Sequence, residues 1–318
     1  MTGISTHKTA GHGAQWGAES GAEWDREWGT GKLFPAPGFL HGKARFAGLA
    51  ILGVLLSGLV GGGPNAAART LPAQNPEAVQ SARITAIVDG DTVKLDTGAE
   101  VRLTGIQAPK LPLGRKGFRP WPLAAKARAA LTALSRDRQV RLDYTGRRHD
   151  RWGRLLAHLH VGKTWLQREM LLRGLARVYT FPDNRTHAAA LYAAEQKARI
   201  AGRGIWALNW YRILPVADTD RHIGTFQLVE GTVMSTAIIR GRGYLNFGAD
   251  WRTDFTISIA PKHMKLFRAA RIDIMALRDR RLRVRGWLVR RNGAMISVTH
   301  PEQIEFLTRE ANPAKPTQ

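Results

Sequence analysis

From residue 83 the chain alternates in steps of two. Ile84, Ala86 and Val88 fall on one side of an extended segment, and Arg83, Thr85 and Ile87 on the other, which predicts a half-buried strand. Val93-Lys94-Leu95 resumes the pattern after Asp89-Gly90-Asp91-Thr92, so the two runs predict a hairpin. Glu100 to Ile106 predicts a third strand, with Val101, Leu103 and Gly105 on one face and Arg102, Thr104 and Ile106 on the other. Leu111 to Pro122 holds three prolines and two glycines and predicts a loop. It ends where Leu123, Ala127, Ala130, Leu131 and Leu134 begin a helical stripe. Gln139 to Tyr144 and Arg154 to Val161 alternate again as strands. A short helix over Leu166 to Leu172 is stopped by Gly174, and a longer one over about Arg185 to Ala201 by Gly202.

Beyond a connector the pattern returns to strands. Leu228 to Ile239, Tyr244 to Phe247, Asp254 to Ile259, Leu282 to Val289 and Ala294 to Val298 predict five, with Asn292-Gly293 as a hairpin turn and a helix at Pro261 to Ala270. Five strands with a helix after the third is the order of an OB-type barrel. The expected fold class is therefore α+β and mainly β: an OB-type five-stranded barrel with helices, followed by a second, smaller OB-like β domain. The expected divisions are an unstructured extension over 1–45, a signal peptide or membrane anchor over 46–68, a linker over 69–80, the first domain over 81–208, a connector over 209–225, the second domain over 226–308 and a tail over 309–318.

Composition narrows the partners. Lys+Arg 48 against Asp+Glu 25 gives a formal charge of +23, which favours polyanions through phosphate contacts and counterion release. The absence of cysteine excludes disulfides and thiolate metal sites. The apolar run Phe46 to Val60 follows Lys43 and Arg45 and precedes Ala66-Ala67-Ala68. It fits an export signal better than a spanning helix, which needs about 20 apolar residues. The expectation is an exported chain, periplasmic or extracellular, or membrane-anchored through 46–60 if the signal is kept.

Three segments carry candidate chemistry: Ile87-Val88-Asp89-Gly90-Asp91-Thr92-Val93, Val101-Arg102-Leu103-Thr104-Gly105-Ile106 and Asp150-Arg151-Trp152-Gly153-Arg154-Leu155. In this order and spacing, over about residues 83–206, the chain resembles the staphylococcal nuclease (thermonuclease) family. Leu171 to Tyr179 and Ala201-Gly202-Arg203-Gly204-Ile205-Trp206 extend the resemblance. It implies an OB-type barrel acting on nucleic acid, DNA or RNA, without strong sequence preference. It also implies that Arg102 and Arg154 grip phosphate and that Asp91, with Asp89 beside it, binds Ca²⁺. The family's Asp-Thr-Pro-Glu reads here Gln107-Ala108-Pro109-Lys110. Gln107 therefore stands in place of a second calcium-binding carboxylate, and Lys110 in place of the glutamate that activates water. A neutral amide weakens the metal site, and an ammonium repels a cation while attracting phosphate. Arg102, Arg154 and Lys110 are the candidate catalytic residues, and Asp91, Gln107 and Asp89 the candidate ligands of a weakly held Ca²⁺. Trp152, Tyr179, Phe181 and Arg151 are the candidate nucleic-acid contacts. His158, two residues after Arg154, is a candidate replacement base.

These residues point first to low-specificity phosphodiester hydrolysis of the endonuclease type. The alternatives are a degenerate nuclease that binds nucleic acid without cleaving it, or an envelope protein using the barrels as interaction surfaces. No protein partner is expected.

Overall fold

The computed structural model describes residues 80–307. The extension, the apolar run at 46–60, nearly all of the linker and the tail lie outside the described residues.

The first barrel is built from β1 (Ser81–Asp89), β2 (Thr92–Leu95), β3 (Glu100–Leu103), β5 (Gln139–Asp143) and β6 (Leu155–Val161), with the short β4 (Gly105–Gln107) after β3. The sheet runs β3-β2-β1-β5-β6 and closes by a parallel pairing of β3 with β6. Helix α1 (Ala124–Ser135) precedes β5; after β6 come β7 (Thr164–Trp165), α2 (Leu166–Leu172), β8 (Arg177–Tyr179) and α3 (Ala188–Ile200). The core is aliphatic, with Ile84, Leu103, Leu131, Leu155, Leu159 and Leu166 all sealed from solvent. The strand expected over Glu100 to Ile106 is broken at Thr104. Gly105 adopts φ 83, a left-handed backbone that suits glycine, and the chain turns there to pair β4 antiparallel with β8.

The second unit contains β9 (Leu214–Pro215), β10 (Phe226–Thr232), β11 (Ser235–Ile239), β12 (Arg242–Asn246), β13 (Thr256–Ile259), α4 (Pro261–Ala269), β14 (Arg281–Arg291), β15 (Gly293–Val298) and β16 (Ile304–Phe306). Its order is β11-β12-β13-β15-β14-β10-β9, with β16 on β14 and a parallel β13–β15 pair. The single strand expected over Leu228 to Ile239 is two: β11 at one end of that order, and β10 next to β9 at the other. If β10 and β11 are counted as one bent strand, both barrels share the cyclic order first-second-third-fifth-fourth and both carry a helix between the third and fourth strands. The Asn292-Gly293 turn is present, with Asn292 at φ 64 and Arg291 paired to Gly293.

The two barrels are joined through buried charge. Arg285 of β14 is 1% exposed. It donates to both carboxylate oxygens of Glu195 on α3 (3.0 and 2.8 Å), to the Val178 carbonyl (3.0 Å) and to Glu305 (2.6 Å). Glu195 in turn accepts the amide of Val178 at 2.5 Å and Arg199 at 3.2 Å. Burial opposes the charge on Glu305, but Arg285, Arg199 and Arg283 hold its carboxyl down to about 2. Around this centre Arg185 pairs with Glu302 at 2.9 Å, and Tyr192 donates to the Glu302 carbonyl. His300 sits between Thr180 (2.8 Å) and Thr299 (2.9 Å).

Removing one partner of a buried ion pair leaves the other charge stranded. Arg285→Met is therefore expected to cost about 3–5 kcal/mol, measured by urea denaturation of the whole chain. Arg281→Met, which loses the half-exposed partner of Glu230, should cost about 1 kcal/mol or less. Acid should act through two buried imidazoles. Burial pushes His158 and His300 down to about 3, so the unfolded chain takes up protons near pH 6.5 while the folded one does not. Stability should fall as pH drops from about 6.5 towards 3, and the slope of urea-derived stability against pH should flatten in His300→Gln.

Candidate nucleic-acid interface and carboxylate centre

The β1–β2 turn is shaped by one close approach. A Cβ placed on Gly90 would come within 2.7 Å of the Cβ atoms of both Ala108 and Ala127, so only glycine lets the hairpin tip seat against α1. The tip carries Asp89 and Asp91 inward, both buried. Asp89 Oδ1 accepts the Asp91 amide at 3.0 Å, a local turn that fixes the first carboxylate.

Asp91 is the hub. Its side chain is fully buried, and its oxygens are taken by donors from β3 and from the loop after β4. Oδ2 accepts the Ala108 amide at 2.6 Å, and the Lys110 ammonium sits 2.8 Å from both oxygens. Arg102 Nη2 lies 3.2 Å from Oδ2. Lys110 also reaches Asp89 Oδ2 at 3.4 Å. Burial works against the Asp91 charge, but Arg102 and Lys110 overcome it and hold this carboxyl well below the usual range. Asp89 moves the other way, raised by burial and then by its charged neighbour Asp91. On acidification Asp89 takes up a proton first and Asp91 keeps its charge.

Arg102 is turned into the same centre. Nη1 donates to the carbonyls of Asp91 (3.2 Å) and Leu103 (3.0 Å), and Nη2 to that of Ile106 (2.8 Å). This buried guanidinium ties the hairpin to β3 and β4. Glu100, the partner its strand position suggests, pairs with Lys94 instead.

Gln107 does not face Asp91. It is buried on β4, in register with Arg177 of β8, and its Oε1 accepts from Arg177 Nε at 2.9 Å and Nη2 at 2.7 Å. Arg177 lies 4.5 Å over Phe226 and 5.8 Å over Trp121. Burial lowers its guanidinium to about 10.

These donors answer whether Ca²⁺ fits. The ion wants about six to eight oxygens at about 2.3–2.6 Å. Here the oxygens of Asp91 and Gln107 are engaged by N–H groups, and an ammonium sits between the two aspartates. Among the described residues no group of three or more His, Cys, Asp or Glu is placed to hold a metal. As arranged here the donor set does not fit calcium: Asp89 and Asp91 share one centre around the Lys110 ammonium, while Gln107 faces Arg177.

The loop between β5 and β6 is different. Asp150, itself buried, accepts the amides of Trp152 (2.9 Å) and Arg154 (3.0 Å) through Oδ1, and Arg154 Nε at 2.6 Å through Oδ2. This clamp presents Trp152 outward, 51% exposed. The guanidiniums of Arg151 and Arg154 lie 4.2 and 5.0 Å from its ring centre. Register brings the end of this loop to the centre just described, because Val101, beside Arg102, pairs with Leu155, beside Arg154.

Two expected base contacts lie elsewhere. Tyr179 is buried against Phe226 and Phe181, each 4.9 Å away edge-on, and its hydroxyl accepts from Trp287 of the second barrel. Phe226 and Trp287 of the second unit cover Tyr179, while Phe181 is half-buried beside it. His158 is buried on β6, packed 4.8 Å from His187 and 5.4 Å from Trp165. Burial lowers its imidazole to about 3, which keeps it neutral near pH 7.

Comparison with known proteins agrees with this barrel. The Staphylococcal nuclease homologue family matches residues 100–208. The chain is 26% identical over 133 residues to a thermonuclease of Staphylococcus hyicus, covering 40% of this chain and 76% of that protein. It is 28% identical over 125 residues to a thermonuclease of Staphylococcus intermedius, covering 38% and 72%. It is also 32% identical over 128 residues to the SPbeta prophage-derived endonuclease YokF of Bacillus subtilis, covering 39% of this chain and 43% of that protein. The first barrel and its helices thus resemble the Staphylococcal nuclease homologue family, which is matched over residues 100–208.

Returning a carboxylate to position 110 should restore cation affinity. Lys110→Glu sets three acidic groups around one point, so its melting temperature should rise with millimolar calcium, while that of the parent chain should not move. The check is thermal unfolding with and without a chelator.

Proposed function

We propose that this nuclease-like domain binds nucleic acid without strong sequence preference and without calcium, as a phosphate- and base-contacting module rather than a calcium-dependent hydrolase. The observation that carries this reading is the Lys110 ammonium 2.8 Å from both oxygens of Asp91. It neutralises the centre internally, leaving no vacant oxygen cluster for a divalent cation and no carboxylate at position 110 to take a proton from water.

Binding falls to the β5–β6 loop. Trp152 offers a flat face on which any base can stack, worth about 1–3 kcal/mol per base. Arg151 and Arg154 lie beside it, and a guanidinium fork suits phosphate oxygens. The chain's +23 charge supplies long-range attraction. Arg102 serves here by holding the Asp91 centre together, and Arg154 is the member of the arginine pair that meets the ligand. An exported location, from the apolar run at 46–60, accords with a partner met outside the cytoplasm.

Hydrolysis is the second reading. It is favoured by the relatives' names, thermonuclease and endonuclease.

Fluorescent oligonucleotide binding and cleavage by the whole chain separate the two. Affinity is expected to be unchanged by chelator, to fall steeply with salt, and to drop about tenfold in Trp152→Ala. Cleavage that requires calcium and vanishes in Arg154→Ala would instead support the hydrolase.

A further inference from the structure

The exposed apolar side chains are not scattered evenly. Of the ten large exposed hydrophobic residues among those described, four lie at one corner of the second barrel: Met234, Ile238, Ile239 and Met275. Ile239 is 59% exposed. Three belong to β11 or the residue before it, and the fourth lies against that strand, where Thr236 donates to the Met275 carbonyl at 3.3 Å. β11 is an edge strand, with β12 on one side only.

Cations frame this corner. Arg240 and Arg242 form the β11–β12 turn, and a Cβ on Gly241 would meet the Pro261 ring at 3.6 Å, so the turn abuts the start of α4. That helix exposes Lys262, Lys265 and Arg268, and Arg271 follows it on the way to Met275. The inner face of α4 and the following segment are bound to the same strand, because a Cβ on Gly243 would meet Met264 at 3.3 Å and Ile274 at 3.4 Å. Two acidic residues lie beside this corner: Asp273 caps the Met275 amide at 2.9 Å, and Asp279, next to Arg278, donates its amide to the Val233 carbonyl at 2.8 Å.

We infer that this corner docks on an anionic lipid bilayer, with Ile238, Ile239 and Met275 entering the interface and the surrounding Arg and Lys side chains meeting headgroup phosphates. The chemistry discriminates among occupants. The large exposed side chains here are aliphatic, so they give bases no flat face on which to stack, unlike Trp152. A second copy would oppose one cationic rim to another. A bilayer of anionic lipid supplies both an apolar layer and a negative surface at the depth these side chains span.

The chain lacks cysteine, so a single label reports the corner in the intact protein. Ile239→Cys carrying an environment-sensitive fluorophore is mixed with vesicles of phosphatidylglycerol and phosphatidylcholine, and with phosphatidylcholine vesicles alone. Arg136→Cys, on the first barrel, separates contact by the corner from attachment through any other segment. A blue shift at position 239, quenched by nitroxide-bearing lipid, is expected on anionic vesicles only. It should weaken at least about tenfold when Arg240→Glu and Arg242→Glu are added. The inference is overturned if position 239 stays silent, responds equally to neutral vesicles, or shifts no more than position 136. It is also overturned if the shift follows protein concentration without lipid, as for self-association, or follows added oligonucleotide instead.

Discussion

Asp91 is the constraint on which the first barrel's mouth depends. One buried carboxylate accepts from the backbone of the loop after β4, from Lys110 on that loop and from Arg102 on β3. A lone charge at that depth would carry a solvation cost of several kcal/mol. Two cations and an amide offset it, so the hairpin, β3 and the loop must form together. The same saturation decides the chemistry. Oxygens already holding N–H donors have little left to offer a metal ion, and a guanidinium bound to three carbonyls and a carboxylate has few donors left for a phosphate. The proposed ligand contact therefore falls outside this centre, on the Trp152 loop that Asp150 holds in place.

Much of this was legible in the sequence. Period-two alternation located the strands of both barrels, and Asp-Gly-Asp-Thr, Asn292-Gly293 and Gly174 marked their turns and caps. Gln107 and Lys110 marked the expected departure from the resembled family's motif. What sequence reasoning missed was long-range. The direction of Gln107 follows from its register with Arg177 across β4 and β8, and a local pattern carries no information on that pairing. The burial of Tyr179 depends on Phe226 and Trp287, residues of another barrel. Lys110 was expected to repel a cation; that its stem would fold inward and replace one depends on how near Asp91 lies in three dimensions. Asp150 left a usable signal, since an aspartate just ahead of Arg-Trp-Gly-Arg is well placed to accept the amides that follow it.

The repeated strand order shows how one plan serves two surfaces. In both barrels the helix follows the third strand and the closing pair is parallel. In the first, that end of the barrel is filled with charge and sealed. In the second, the corresponding turn carries Arg240 into solvent, with the half-buried Arg242 beside it and uncovered aliphatic side chains nearby.

The Arg285 cluster bears on where this molecule can be divided. The recognisable nuclease-like segment stops at residue 208, yet the guanidinium that neutralises Glu195 comes from a strand more than seventy positions later. Ancestry and folding thus draw their borders in different places. A fragment trimmed to the family's limits would inherit an acidic residue sealed inside α3 without its main counterion, and its behaviour would describe that amputation rather than the native protein.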